Sequence, residues 1–100
     1  MDCIVIKELP KEFKGIGEVR GFEFRRLSFD GFAYLYEVFD GTRTYYEVFE
    51  RRINPQYNCV RYPRAKAFGI WAFTCYDLAK ANDYFGKLSI RVELREEGKE

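Results

Sequence analysis

The chain contains no histidine, and that omission removes most of the familiar catalytic repertoire. Ser–His and Cys–His nucleophile pairs, imidazole metal ligands and imidazole proton transfer near neutral pH are all excluded. Carboxylates remain, but their spacing does not set two of them across one substrate, as acid–base hydrolysis requires. Glu47 and Glu50 on a strand point to opposite faces, Asp77 and Asp83 sit too far around a helix, and Glu96 and Glu97 belong to a charged tail. Gly15-x-Gly17-x-x-x-Gly21 misses the dinucleotide-loop spacing and precedes a strand, so the phosphate-binding geometry is lacking. The three cysteines, Cys3, Cys59 and Cys75, form no Cys-x-x-Cys pair. Arg61 near Cys59 would favour its thiolate, but no base or resolving cysteine accompanies it. Cys3 and Cys75 read as small core residues. These observations predict no catalytic, cofactor-binding or metal-ligating residues and a protein that is not an enzyme.

One constellation does have the right types for recognition. Between Arg51 and Lys66 lie Arg51, Arg52, Arg61, Arg64 and Lys66 with no acid among them, interleaved with Tyr57 and Tyr62, and Tyr45 belongs to the preceding strand. Nucleic-acid binders use this pairing, with guanidinium charge on phosphates and rings stacked on bases. The same two types are enriched at protein–protein hot spots. A solvated edge whose arginines pair with Glu47, Glu50 and the tail would look the same in sequence. A net charge of +1 weighs against a dedicated nucleic-acid binder. The expected partner is therefore a protein, with nucleic acid the alternative, and no membrane. Phe68-Gly-x-Trp71-Ala-Phe73 could be a stacking platform for a ligand, but a buried Trp packed under a helix explains it more simply.

One hundred residues suffice for one domain and one core. Ten Phe, eight Tyr and one Trp supply that core with large areas at low rotamer cost. The N-terminus has no basic leader, no run reaches membrane-spanning length, and the cysteine number is odd. A reduced, cytoplasmic setting is the expectation.

The elements that must position these residues follow from turn signals. Asp30-Gly31 and Asp40-Gly41 each mark a hairpin between aromatic strands, so 22–53 reads as a three-strand antiparallel meander. A turn at Asp30-Gly31 sets Phe29 opposite Phe32 and Leu27 opposite Tyr34; the second turn has two or four residues, which leaves the faces unchanged. One face then carries Leu27, Phe29, Phe32, Tyr34, Tyr36, Val38, Tyr45, Phe49 and Ile53, and the other Phe22, Phe24, Ala33, Leu35, Phe39, Tyr46 and Val48. Residues 3–6 and the stretch from Ile16 through Phe24 read as strands, 8–15 as a connection, 54–66 as a basic loop and 68–73 as a further strand. Thr74 caps a helix over about 75–86 that Gly86 ends. Leu88, Ile90, Val92 and Leu94 then alternate with polar residues as a strand, followed by a frayed acidic tail at 96–100. The fold class is α+β, an antiparallel sheet of about five strands with one helix packed on one face.

Tyr-Glu-Val-Phe (46–49), Arg-Tyr-Pro (61–63) and Phe-Gly-x-Trp-Ala (68–72), within residues 45–85, resemble uncharacterised small proteins encoded by phages and mobile elements. The resemblance implies a compact protein that binds a host component, for example as an inhibitor of a defence system, and it brings no catalytic positions. The expected contact surface is the Tyr-rich sheet face with the 51–66 segment. An edge strand could pair with a second copy to give a homodimer.

Overall fold

A computed structural model describes residues 5–97. Its strands are β1 (Glu12–Lys14), β2 (Glu23–Phe29), β3 (Ala33–Phe39), β4 (Thr44–Glu50), β5 (Ile53–Asn54), β6 (Cys59–Val60) and β7 (Ala72–Cys75), followed by the helix α1 (Leu78–Glu97). Five strands form one antiparallel sheet in the order β1-β2-β3-β4-β7, and β5 and β6 pair as a separate hairpin. The helix packs on β3, β4 and β7. This is the α+β arrangement that the sequence predicts.

Both Asp-Gly steps make their turns by the same device. Gly31 and Gly41 take φ values of +91° and +96°, a region that side chains disfavour. The preceding aspartate accepts two backbone N–H groups, from Phe32 and Ala33 in one turn and from Thr42 and Arg43 in the other. Each loop closes between strand partners Phe29–Tyr34 and Phe39–Thr44. Phe29 therefore faces Tyr34, not Phe32. That change moves the register by two, so it leaves the faces near the turn as expected.

A bulge between Arg26 and Ser28 has a larger effect. One extra residue in β2 reverses the side on which everything before it points. Phe24 consequently joins Tyr34, Tyr36, Val38 and Phe49 in one buried cluster, with Phe22 packed against it. The expected placement of Phe22 and Phe24 on the opposite face is corrected by this bulge. Ala33, Leu35, Val48 and Cys75 line the other face, covered by Ala81 and Leu88 of α1.

Several boundaries also move. The expected connection at 8–15 contains β1, whose Phe13 stacks on its partner Phe24 at 4.6 Å. A 3₁₀ turn at Gly17–Val19 replaces the expected strand from Ile16. Of the expected strand at 3–6, Cys3 and Ile4 lie outside the described residues, and Val5 and Ile6 are not in a strand. The basic loop at 54–66 is partly a hairpin: Arg61 N–H bonds to Arg52 O, Ile53 pairs with Val60, and Lys7 bridges to Cys59 on the far side. The strand expected at 68–73 begins at Ala72, because Gly69 turns the chain at φ +92°.

The main correction concerns the C-terminal third. Among the described residues no strand follows Gly86; α1 runs through it to Glu97. Ala81, Leu88 and Val92 are buried and Phe85 packs beside them, which is a helical stripe. Ile90 and Leu94 stay 58% and 61% exposed, so the period-two alternation that suggested a strand is coincidental. Glu96 and Glu97, assigned to a frayed tail, are helical. The cap is also displaced: Thr74 belongs to β7, and Asp77 Oδ1 accepts Ala79 N–H at 2.9 Å.

A Cβ at Gly86 would meet no neighbour within 4 Å. Gly86→Ala should therefore stabilise the fold by about 0.5–1 kcal/mol, by lowering the chain entropy lost in the helix. Urea denaturation followed by circular dichroism checks this; a destabilised variant would contradict a continuous α1.

Candidate functional site

The two sides of β4 are stabilised differently, and both bear on where the cationic residues go. On the helix side, Glu50 is completely withdrawn from solvent and meets three guanidinium groups. Arg52 approaches at 3.1 Å, Arg95 at 2.9 Å, and Arg91 donates two hydrogen bonds to Oε2. Burial by itself would raise the Glu50 carboxyl, but the hydrogen bonds and charges of Arg95, Arg91 and Arg52 outweigh it and hold it below 4.5. Arg52 further lies over the Trp71 ring at 4.8 Å. Arg91 also donates to Ile70 O at 3.0 Å.

On the aromatic side, Arg51 forks onto Glu8 at 2.6–3.2 Å, and the Tyr34 hydroxyl donates to the same carboxylate. The Arg51 hydrogen bonds hold Glu8 below its ordinary value. Tyr36 donates to Pro10 O at 2.5 Å, and burial pushes its phenol up to about 12. Tyr62 packs edge-on against Phe13, Phe24, Tyr36 and Phe49 with centroids 4.8–5.8 Å apart. Its hydroxyl donates to Glu47, whose carboxyl is raised by burial; burial raises the Tyr62 phenol too.

These contacts sort the expected contact residues into two groups. Arg51, Arg52 and Tyr62 are engaged within the fold by Glu8, Glu50 and Glu47. The Tyr-rich sheet face is likewise not an open surface, because the N-terminal segment and residues 60–71 cover it. Tyr45 is half-buried and leans on Tyr76. Trp71 belongs to this aromatic side, so it does not lie under the helix. Tyr57, Arg61, Arg64 and Lys66 remain exposed.

Arg61, Arg64 and Lys66 line one cleft of about 850 Å³ with Asn54, Tyr62 and Trp71. The hairpin register sets Arg52 opposite Arg61 and so presents Arg61 and Asn54 on one of its faces. Pro63 is buried, which anchors the chain between Arg61 and Arg64, and the 3₁₀ turn Ala65–Ala67 closes the far wall. Arg25, Arg43, Arg51, Arg52, Arg91 and Arg95 each have a carboxylate partner; among the described residues Arg61, Arg64 and Lys66 have none. Sequence reasoning found all three but could not separate them from Arg51 and Arg52. The partners that distinguish them, Glu8 and Glu50, become neighbours only through the fold.

A second groove, of about 630 Å³, crosses β1 and β2 and is lined by Glu12, Lys14, Glu23, Arg25 and Glu37. Its Arg25 already pairs with Glu37 at 2.9 Å. Among the described residues no cluster of acids and cysteines could hold a metal ion, and no buried side-chain nitrogen or oxygen lacks a partner. No described helix is long and apolar enough to cross a membrane. No protein-family model, curated protein or solved structure matches the chain.

Two measurements test this division. Arg91→Ala or Arg95→Ala alone should cost about 1 kcal/mol, since the remaining guanidiniums still serve Glu50. The double variant should lose more than the sum, towards about 3 kcal/mol, because a buried carboxylate then lacks sufficient counter-charge. Denaturant titrations of the three variants read the coupling directly.

Glu47 gives a pH signature of opposite sign to Glu50. Its folded pKa lies above 4.5, so ionising it destabilises the fold as pH rises from 4.5 through that value. Glu50 and Glu8 have lowered values, so their contributions are complete above 4.5 and drain away as pH falls through the folded values. Glu47→Gln keeps an acceptor for Tyr62 and removes the charge. It should raise the thermal midpoint at pH 7 while leaving it nearly unchanged at pH 4; equal shifts at both would refute the assignment.

Proposed function

We propose that this is a non-enzymatic binding protein that docks on an acidic surface of a protein partner through the cleft of Arg61, Arg64 and Lys66. The observation that carries the proposal is the contrast in ion pairing. Arg51, Arg52, Arg91 and Arg95 are paired with Glu8 or the buried Glu50, whereas Arg61, Arg64 and Lys66 stand exposed around one concavity. Like charges gathered without a counter-charge make a local positive potential that a partner's carboxylates would complement. Tyr57, 68% exposed at the hairpin tip, adds apolar contact area beside the cleft.

The nucleic-acid alternative has fewer free rings to draw on than the sequence suggests. Single-strand binders combine phosphate contacts with free rings for the bases. Here the Tyr62 ring is enclosed by four others and Tyr45 is half-buried, which leaves Tyr57 as the exposed tyrosine of the basic stretch. The resemblance of residues 45–85 to small phage and mobile-element proteins makes a host component, such as a defence protein, the kind of target in view. We place the protein in the cytoplasm on the same reading, with an edge strand available to pair with a second copy.

Affinity capture from a host lysate tests the proposal, with wild type and Arg61→Ala/Arg64→Ala compared with and without nuclease. The expected result is a protein retained by wild type, lost with the double variant and indifferent to nuclease. Loss on nuclease treatment would transfer the function to nucleic acid. The double variant should unfold at the same denaturant midpoint as wild type, within about 0.5 kcal/mol, because exposed unpaired charges contribute little to stability.

A further inference from the structure

The side-chain chemistry of the cleft is one-sided. Arg61, Arg64 and Lys66 are donors without any acceptor. Asn54 has its carbonyl oxygen occupied by Gln56 N–H at 2.9 Å, which leaves its amide N–H₂ free. Trp71 can only donate, and the Tyr62 hydroxyl is committed to Glu47. Every unsatisfied polar side chain in a cleft of about 850 Å³ therefore seeks an acceptor, and three of them seek a negative one. The cations fall within the short stretch 61–66, a local charge and not the long basic stripe that tracks a nucleic-acid backbone.

We infer that the cleft receives a short extended peptide segment of the partner bearing closely spaced Asp or Glu side chains. This rests on the docking function proposed above and names the chemistry of the docked part. Arg61 and Arg64 would each take a carboxylate in bidentate fashion, and Lys66 would contribute a third, less directional charge. Buried Pro63 holds the two arginines on a stiff backbone, which limits the entropy lost on binding. The Trp71 ring, fixed from one side by Arg52 and through it by Glu50, supplies apolar contact for the segment's backbone and aliphatic atoms.

Fluorescence anisotropy with a labelled synthetic peptide of alternating Asp and Ser tests the inference on the full chain. The counterpart with Asn in place of Asp, and a labelled oligothymidylate, serve as the other two probes. The expected result is binding of the Asp peptide, weakened at least about tenfold by Arg61→Ala/Arg64→Ala and lost with the Asn peptide. Arg20→Ala removes an exposed cation outside the cleft and should leave the affinity unchanged. Equal weakening by Arg20→Ala would mean that bulk charge alone is read, which overturns the site. Oligothymidylate displacing the peptide, or no peptide binding at all, overturns the inference. If the peptide fails while capture of a partner still depends on Arg61 and Arg64, the docking function stands and the short-segment chemistry falls. If neither depends on them, both fall together.

Discussion

A carboxylate removed from water must be matched by positive charge, and the matching of Glu50 organises one whole end of this protein. Its three guanidinium partners come from different places: Arg52 leads into the β5–β6 hairpin, and Arg91 and Arg95 belong to the last turns of α1. One buried acid thus ties the end of β4, the end of the helix and the start of the hairpin. The apolar stripe of α1 ends at Val92, so the final turn is held to the sheet by charge where apolar burial stops. Arg52 passes the constraint on by lying over Trp71, a wall of the basic cleft. A buried ion cluster of this kind is weak as a source of net stability and effective as a device for geometry.

The opposite face is organised by rings. Tyr34, Tyr36 and Phe49 stack along the sheet at 5.5–6.0 Å, and Tyr62 meets Tyr36 and Phe49 edge-on. Such contacts add about 0.5–1.5 kcal/mol each beyond area burial. The phenol groups leave the interior by donating to Glu8, Pro10 O and Glu47. Tyrosine thereby fills a core and fastens the N-terminal segment over it, which phenylalanine could not do. The consequence for function is subtractive: rings engaged in this way cannot also stack on a ligand.

What remains at the surface is correspondingly sparse and informative. The internal networks consume Arg51 and Arg52, and the cleft inherits only Arg61, Arg64 and Lys66. Three cations on a hairpin and a short 3₁₀ turn form a compact anion-accepting patch. The absence of a free acceptor among its side chains is the feature on which the proposed recognition of an acidic surface rests.

Local chemistry was legible from the amino-acid order: the two Asp-Gly turns, the three-strand meander, the antiparallel sheet with one helix, and the basic stretch that supplies the cleft. Each depends on neighbours close in the chain, where turn geometry and side-chain alternation act directly. Three features depended on contacts between distant segments. The bulge at Leu27 reversed the facing of Phe22 and Phe24, because a single extra residue changes parity without leaving a distinct composition. The helix ran through Gly86 because the roughly 1 kcal/mol that glycine costs is small beside burial of Leu88 and Val92 and the pairing of Arg91 and Arg95 with Glu50. The same residues fit a strand's alternation as well as a helix's stripe, and only the sheet beneath could choose between them. The basic residues, finally, looked alike in sequence; proximity to Glu8 and Glu50, set by the tertiary fold, decided which became structural and which remained at the surface.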